Sequence, residues 1–143
     1  MKRLAILILA ISMTQLTAAP VPKELKNNDS IQGTWKVESL ILFGQPGTES
    51  LYWSIDADGN LDRHSDPVPP ANTIRSIILK QNRAAKTLDF CAGPMTFPGT
   101  YRLSGDTLEY CIAMQGQARP ATIGATPAKY LWTLTRVKPG EKK

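Results

Sequence analysis

The chain has 143 residues, 42% of them hydrophobic and 20% charged, and its 17 basic and 12 acidic residues give a net charge of +5. This length suits one domain with a buried core and is too short for two. The basic excess is small and shows no runs of Lys or Arg interleaved with aromatic residues, which excludes the footprint typical of nucleic-acid-binding proteins.

The first 19 residues have the three parts of a secretory signal peptide. Lys2 and Arg3 form a basic start, residues 4–13 are an apolar run, and residues 17–19 supply small side chains before a cut. A membrane-spanning helix needs about 20 apolar residues, and this run is much shorter. We therefore predict an exported protein, periplasmic or extracellular, with no membrane span after the signal is removed and a net charge of +3.

The rest of the chain divides into three parts. Residues 20–30 are polar and Pro-rich and indicate a tether, and residues 138–143 indicate a solvated tail. Residues 31–137 alternate apolar and polar side chains between turn signals, and no segment among them has a convincing helical period. We assign the folded domain to this region.

The alternation predicts eight short strands. They cover about residues 33–42, 50–56, 59–64, 73–81, 86–91, 99–103, 107–113 and 130–137. In the first strand the pattern turns Trp35, Val37 and Ile41 toward one face. Eight strands with short links and no helix predict an antiparallel up-and-down sheet that closes into a barrel, since closure removes its exposed edges.

The links between these strands fall into two sets. Links 57–58, 82–85 and 104–106 are short and would lie at one end of the barrel. Four long links would lie at the other end, and eight of the 11 prolines fall in them: 43–49, 65–72, 92–98 and 114–128. A rigid scaffold with all its long loops at one end predicts that recognition takes place there.

Three residues are predicted to form the closed end. Gly33 and Trp35 begin the first strand, and Arg136 ends the last strand with the same parity as the inward residues before it. A guanidinium over an indole face stabilises by about 0.5–2 kcal/mol. We therefore expect Arg136 to plug the short-loop end across Trp35.

Three blocks of sequence resemble a known family. Gly33-Thr34-Trp35 with a terminal Arg136 resembles the G-x-W and terminal-Arg pair of lipocalins. IQGTWKVESL, FPGTYRLSGDTLEYCIA and ARPATIGATPAKYLWTLTR are similar to the small secreted lipocalin-like domain abundant in planctomycetes, over about residues 31–137. That family is largely without an assigned activity, so the resemblance implies a lipocalin-like barrel more than a function.

Residues 56–62 and His64 are considered as metal ligands. Asp56, Asp58, Asn60 and Asp62 follow part of an EF-hand calcium pattern, without its first acid, its final bidentate Glu or flanking helices. The favoured alternative is a hairpin turn with polar residues. His64 is the sole histidine and is interpreted as a solvated residue at a strand end.

Cys91 and Cys111 leave two alternatives open. An even cysteine count in an exported chain favours one disulfide. Parity places both on the outer face, but two strand spacings separate them by about 9.6 Å, beyond the limit of about 7 Å for a bridge. A distorted disulfide and two separate thiols both remain.

The sequence predicts binding rather than catalysis. It contains no G-x-S-x-G, H-E-x-x-H or glycine-rich phosphate motif, so we expect no enzyme and no cofactor. We expect an exported, non-catalytic barrel that binds a small apolar molecule at the long-loop end. The candidate contacts are Phe43, Met95, Phe97, Met114, Arg119 and Lys129. The alternative is a filled barrel that serves as a protein-interaction or cell-envelope structural module.

Overall fold

The computed structural model describes residues 30–49, 52–68, 76–124 and 128–140. The predicted signal peptide, residues 20–29 of the tether and the last three residues of the tail lie outside these ranges. The described residues form ten strands, β1 to β10 in chain order. Their bounds are Gly33–Leu42, Gln45–Pro46, Tyr52–Ile55, Asn60–His64, Ile77–Asn82, Thr87–Ala92, Met95–Phe97, Gly99–Ser104, Thr107–Ile112 and Tyr130–Arg136.

Eight of these strands form a closed antiparallel barrel. Going around it, β1, β3, β4, β5, β6, β8, β9 and β10 are neighbours in chain order, and β10 pairs back onto β1 from Trp35↔Arg136 to Leu42↔Tyr130. The short strands β2 and β7 pair with β1 and β6 as hairpin arms within two of the long links. The predicted up-and-down barrel is confirmed, and it is consistent with a lipocalin-like barrel. No helix in the described ranges has the length and apolar character needed to cross a membrane.

A β-bulge in β1 changes which side chains face inward. The pairing with β10 shifts between Val37 and Ser39, so one residue is added on the β1 side. Beyond this point the parity reverses, and Leu40 is 6% exposed whereas Ile41 is 41% exposed. The prediction that Ile41 faces inward was therefore wrong, because strict alternation holds only where no extra residue interrupts the ladder.

The interior is filled by large side chains from all around the barrel. Its buried members include Trp35, Trp53, Leu79, Leu88, Tyr101, Leu108, Tyr110, Trp132 and Leu134, each at most 3% exposed. An eight-stranded barrel is just wide enough to be filled by side chains or to hold one small ligand. Here the three tryptophans and their neighbours fill it.

The Arg136–Trp35 contact predicted at the short-loop end is present. The Arg136 guanidinium carbon lies 4.1 Å from the centre of a Trp35 ring. Its two terminal nitrogens donate to the main-chain oxygens of Gln32 (2.6 Å) and Ser30 (2.9 Å). Burial lowers the pKa of Arg136 from its ordinary value, and the indole of Trp35 donates to the Ile31 oxygen at 2.8 Å. The guanidinium thus ties the incoming chain across the floor of the barrel.

Gly33 makes room for this plug. Its φ is +122°, and a Cβ at this position would lie 3.1 Å from a terminal nitrogen of Arg136. Both the backbone angle and the close guanidinium favour glycine. The glycine and the arginine, 103 positions apart in the chain, are therefore parts of one closure.

A seam between β6 and β8 is the least regular part of the wall. The two strands share one register pair, Thr87↔Thr100, and Phe90, Cys91 and Ala92 at the other end of β6 pair with β7 instead. At the seam a Cβ on Gly99 would lie 2.3 Å from the Leu88 oxygen and 2.7 Å from the Tyr110 ring. Glycine at this position lets β8 approach β6 closely enough to complete the wall.

Candidate interaction surface at the long-loop end

Stacked aromatic rings block the barrel just inside its long-loop end. Trp132 stacks on Tyr130 with ring centroids 5.4 Å apart and on Tyr110 at 5.5 Å, and it also contacts Trp53 at 5.2 Å. Trp53 and Tyr110 are fully buried. These rings occupy the volume that a ligand would use in a hollow barrel.

An acidic side chain covers this aromatic stack. Glu49, in the link between β2 and β3, accepts a hydrogen bond from Trp132 Nε1 at 3.3 Å and pairs with Arg63 Nη1 at 3.0 Å. The Glu49 side chain is 11% exposed and that of Arg63 is 39% exposed. The carboxylate closes the mouth from above and leaves the guanidinium in contact with solvent.

Two buried polar atoms of the stack have no hydrogen-bond partner in the described part of the chain. They are Trp53 Nε1 and Tyr110 Oη. Burial, followed by the nearby Asp89 carboxylate, raises the pKa of the Tyr110 phenol well above its ordinary value. The ring is therefore a neutral packing element at physiological pH.

Phe43 stands at the tip of the β1–β2 hairpin in a conformation that phenylalanine rarely adopts. The two turn residues, Phe43 and Gly44, have φ of 50° and 79°. Positive φ at both positions is the pattern of a type I′ turn, which favours Asn, Asp or Gly at the first of them. The Phe43 N–H donates to the Lys129 oxygen at 2.8 Å, and the ring, 57% exposed, leans on Tyr130 with centroids 5.8 Å apart.

A second apolar hairpin tip stands on the far side of the mouth. Met95 begins β7, beside the turn from β6, and is 44% exposed. Strands β1 and β6 are four positions apart in either direction around the barrel, so the two tips lie opposite each other. Val68, in the link after β4, is also at this end and is 75% exposed. We call Phe43, Val68 and Met95 the rim.

The remaining predicted contact residues serve local structure. Phe97 is half-buried and packs edge-on against Phe90 with centroids 6.0 Å apart. Met114 begins a turn in which the Gln117 N–H donates to its oxygen at 3.0 Å. Lys129 is half-buried and uses its backbone to link Phe43 to β9. The sequence prediction thus placed six residues at one end, of which Phe43 and Met95 are exposed apolar groups.

Arg119 lies on the outer face of the barrel, away from the rim. Its guanidinium pairs with the Asp89 carboxylate and donates to the Gly99 oxygen, and the hydrogen bond to Asp89 raises the pKa of Arg119. The segment before β10 folds back over β8 and β9, where Pro120 is fully buried and accepts a hydrogen bond from Thr100. Arg119, predicted as a ligand contact at the long-loop end, is instead engaged with Asp89 and Gly99 at the seam between β6 and β8.

Cys91 and Cys111 are free thiols in the structure. Cys111 faces outward but is fully buried, because the returning segment covers it, and its Sγ lies 3.6 Å from the Thr100 oxygen. This burial raises the pKa of the Cys111 thiol. Cys91 is half-buried and accepts a long contact from Thr96 at 3.8 Å. The structure therefore has two separate thiols and no distorted disulfide between Cys91 and Cys111.

The residues considered for calcium form a polar hairpin turn. One Asp56 carboxylate oxygen accepts hydrogen bonds from the backbone N–H groups of Asp58 and Asn60, both at 2.9 Å. The Asn60 side chain donates to the same carboxylate, and Asp62 is buried on β4. Within the described ranges no group of three or more His, Cys, Asp or Glu side chains is placed to hold a metal. The Asp56 carboxylate organises the β3–β4 turn, which is the alternative that the sequence favoured.

Sequence reasoning missed a hydrogen-bonded pair on the outer face. His64 was expected to be solvated, but it is 8% exposed, and its Nε2 lies 2.9 Å from Ser54 Oγ. The β3–β4 register pairs Ser54 with Asp62 and Tyr52 with His64, which places His64 diagonal to Ser54. The tight turn at residues 57–58 was the signal that could have revealed this neighbourhood.

Two clefts lie outside the mouth. One, of about 310 Å³, runs over the outer face of β3, β1 and β10 and is lined by Lys36, Tyr52, Pro67 and Arg136 among others. The other, of about 420 Å³, opens at the short-loop end between residues 30–32, the β3–β4 turn and the β5–β6 hairpin. Neither opens between links 43–49 and 114–128, where a small-ligand site was expected.

Comparisons with protein-family models, with curated proteins and with solved structures all find no match to this chain.

Proposed function

We propose that this protein is a recognition module that contacts another macromolecule through its rim. This is the alternative function considered from the sequence, and the filled interior favours it over a carrier of a small apolar molecule. The predicted signal peptide supports a site of action outside the cytoplasm. The resemblance to secreted lipocalin-like domains supports the same proposal, without assigning an activity.

The conformation of Phe43 carries the proposal. A non-glycine residue at positive φ is strained by about 1–3 kcal/mol where the surroundings force it, and such strain clusters at functional positions. Asparagine would suit this turn better and would be more soluble. A large apolar ring that is 57% exposed therefore serves something other than the stability of the turn.

Phe43→Asn separates binding from folding. Asparagine is favoured at the first position of a type I′ turn, so we expect the variant to gain about 0.5–1 kcal/mol of stability. The variant loses the exposed ring and should therefore lose partner contact. A variant that binds less while melting no lower cannot have lost binding through misfolding.

The binding test uses site-specific photo-cross-linking of the full chain in its own host. A cross-linker at position 43 or 95 should capture a discrete partner, and Phe43→Asn should remove the capture at position 95. The matched control is position 78 on the barrel wall, because Ile78 is exposed to a similar degree, 41%. Equal capture at all three positions would contradict the proposal, and a small molecule retained in native mass spectrometry would restore the carrier hypothesis.

A further inference from the structure

The outer face of β3 and β4 holds a serine, a histidine and a carbonyl in one hydrogen-bonded chain. Ser54 Oγ lies 2.9 Å from His64 Nε2, and the other ring nitrogen, Nδ1, contacts the main-chain oxygen of Asp66. Ser54 is half-buried and His64 is 8% exposed. Consecutive hydrogen bonds therefore link a nucleophile, a base and a group that orients the base.

The carbonyl determines how the imidazole is protonated. A main-chain oxygen only accepts hydrogen bonds, so Nδ1 of neutral His64 carries the hydrogen and donates it to Asp66. The lone pair of Nε2 then faces Ser54, and the serine hydroxyl must donate to it. This is the tautomer that a general base needs in order to take a proton from serine.

Neighbouring groups complete the environment of the serine oxygen. Thr34 Oγ1 lies 3.2 Å from Ser54 Oγ and, with the serine hydrogen directed to His64, donates to it. The Tyr52 ring stacks on the imidazole with centroids 6.1 Å apart and a tilt of 14°. The imidazole is thus held between a packed ring and its two hydrogen bonds, which limits its rotation.

A groove for a substrate lies beside this chain of groups. The cleft of about 310 Å³ is floored by Tyr52, which is two residues from Ser54 on the same strand face. Such neighbours are about 7 Å apart. Pro67 and the stem of Lys36 offer apolar contact in the cleft, and the Lys36 ammonium pairs at 3.3 Å with Glu38, which also lines the cleft. Ser54 is not among the residues that line the cleft, so an ester bound there must extend past Tyr52 for its carbonyl to reach Ser54.

We propose that Ser54 is a nucleophilic serine that accepts an acyl group from small esters, with His64 as its base. Ser54 Oγ attacks the ester carbonyl carbon while its proton passes to His64 Nε2. The carbon–oxygen bond to the leaving group then breaks, and Nε2 returns the proton to the departing alkoxide. Water attacks the acyl-serine with His64 again as base, which regenerates the hydroxyl and releases a carboxylic acid. This activity goes beyond the proposed rim function and does not depend on it.

The test is modification of the full chain by p-nitrophenyl acetate and by a small fluorophosphonate, followed by peptide mapping. We expect one adduct, on Ser54, and release of p-nitrophenol that falls to background in Ser54→Ala. His64→Gln should slow modification by about 100-fold or more, the usual contribution of a general base. Ser39→Ala is the matched control, because Ser39 is exposed on β1 and lies outside this chain of groups.

Each result of the labelling experiment either supports or overturns the proposal. An adduct on Ser54 that depends on His64 supports the proposal. No adduct on Ser54 in the wild-type protein overturns it, and so does an adduct that forms equally fast in His64→Gln. Because His64 also tethers the segment after β4, the melting temperature of each variant is measured. If His64→Gln melts early, its labelling is compared with that of the wild type at a temperature below both melting transitions, where both chains are folded.

Discussion

Removing the Arg136 guanidinium should destabilise the barrel strongly. In Arg136→Ala the chain loses two charge-assisted hydrogen bonds, to Gln32 and Ser30 at 2.6 and 2.9 Å, and the contact 4.1 Å from Trp35. Hydrogen bonds to a charged group contribute about 1.5–3 kcal/mol each, and a cation–π contact about 0.5–2 kcal/mol. Water will replace part of these contacts, so we expect a net loss of about 2–4 kcal/mol.

This loss is measurable as a change in melting temperature. For a domain of this size one kcal/mol corresponds to about 4 °C, so Arg136→Ala should melt about 8–16 °C lower. Arg136→Lys keeps the charge, but lysine cannot donate to both carbonyls while lying flat on the indole. Its melting temperature should therefore lie between those of the wild type and Arg136→Ala. Arg136 Nε also lies 3.7 Å from the Asp106 carboxylate, and Lys138 pairs with the same carboxylate at 3.6 Å. Lys138→Ala is therefore the control, because the Lys138 side chain is 70% exposed. A melting temperature for Arg136→Ala within 2 °C of wild type would refute the plug.

Two further substitutions test the turn and the core. Gly59→Ala should lose more than about 2 kcal/mol of folding stability, because the φ of Gly59 is +83° and a Cβ would lie 2.3 Å from a β5 carbonyl oxygen. Gly44→Ala should lose about 1 kcal/mol, because Gly44 has a similar φ of +79° but nothing within 4 Å of the added Cβ. Equal melting temperatures for the two variants would contradict this. Tyr110→Phe removes a hydroxyl without a described partner, so urea unfolding should show a gain of about 1 kcal/mol, and a loss would mean that the hydroxyl is bonded. Because the pKa of Tyr110 is raised in the folded protein, the unfolded chain releases this proton at lower pH. The stability of the wild-type protein should therefore fall as the pH rises above about 10, and that of Tyr110→Phe should fall less steeply.

Much of the architecture could be predicted because each strand carries its own signal. The predicted strand 33–42 matches β1 at both ends, and 107–113 differs from β9 by one residue. Parity along β10 placed Arg136 inward, and the closed barrel then placed it over Trp35. These predictions depended on period-two alternation and on turn residues, both of which are local properties.

Predictions failed where a non-local contact decided the outcome. Ile41 faces outward because a bulge before it shifts the register against β10. Arg119 lies on the wall because the segment that carries it folds back over the small side chains of Thr100 and Cys111. His64 is buried although it ends a strand. The alternation of apolar and polar residues along the chain does not reveal any of these contacts.

By itself, the amino-acid sequence determined the strand order, the closed end and the end that carries the long loops. Alternation, turn chemistry and proline placement act over a few residues, so they can be read along the chain. Only the tertiary structure decided that aromatic rings fill the interior, that Phe43 is held exposed at a strained hairpin tip and that Ser54 meets His64. Those outcomes depend on which strands lie side by side and in what register, and register is a property of pairs of strands.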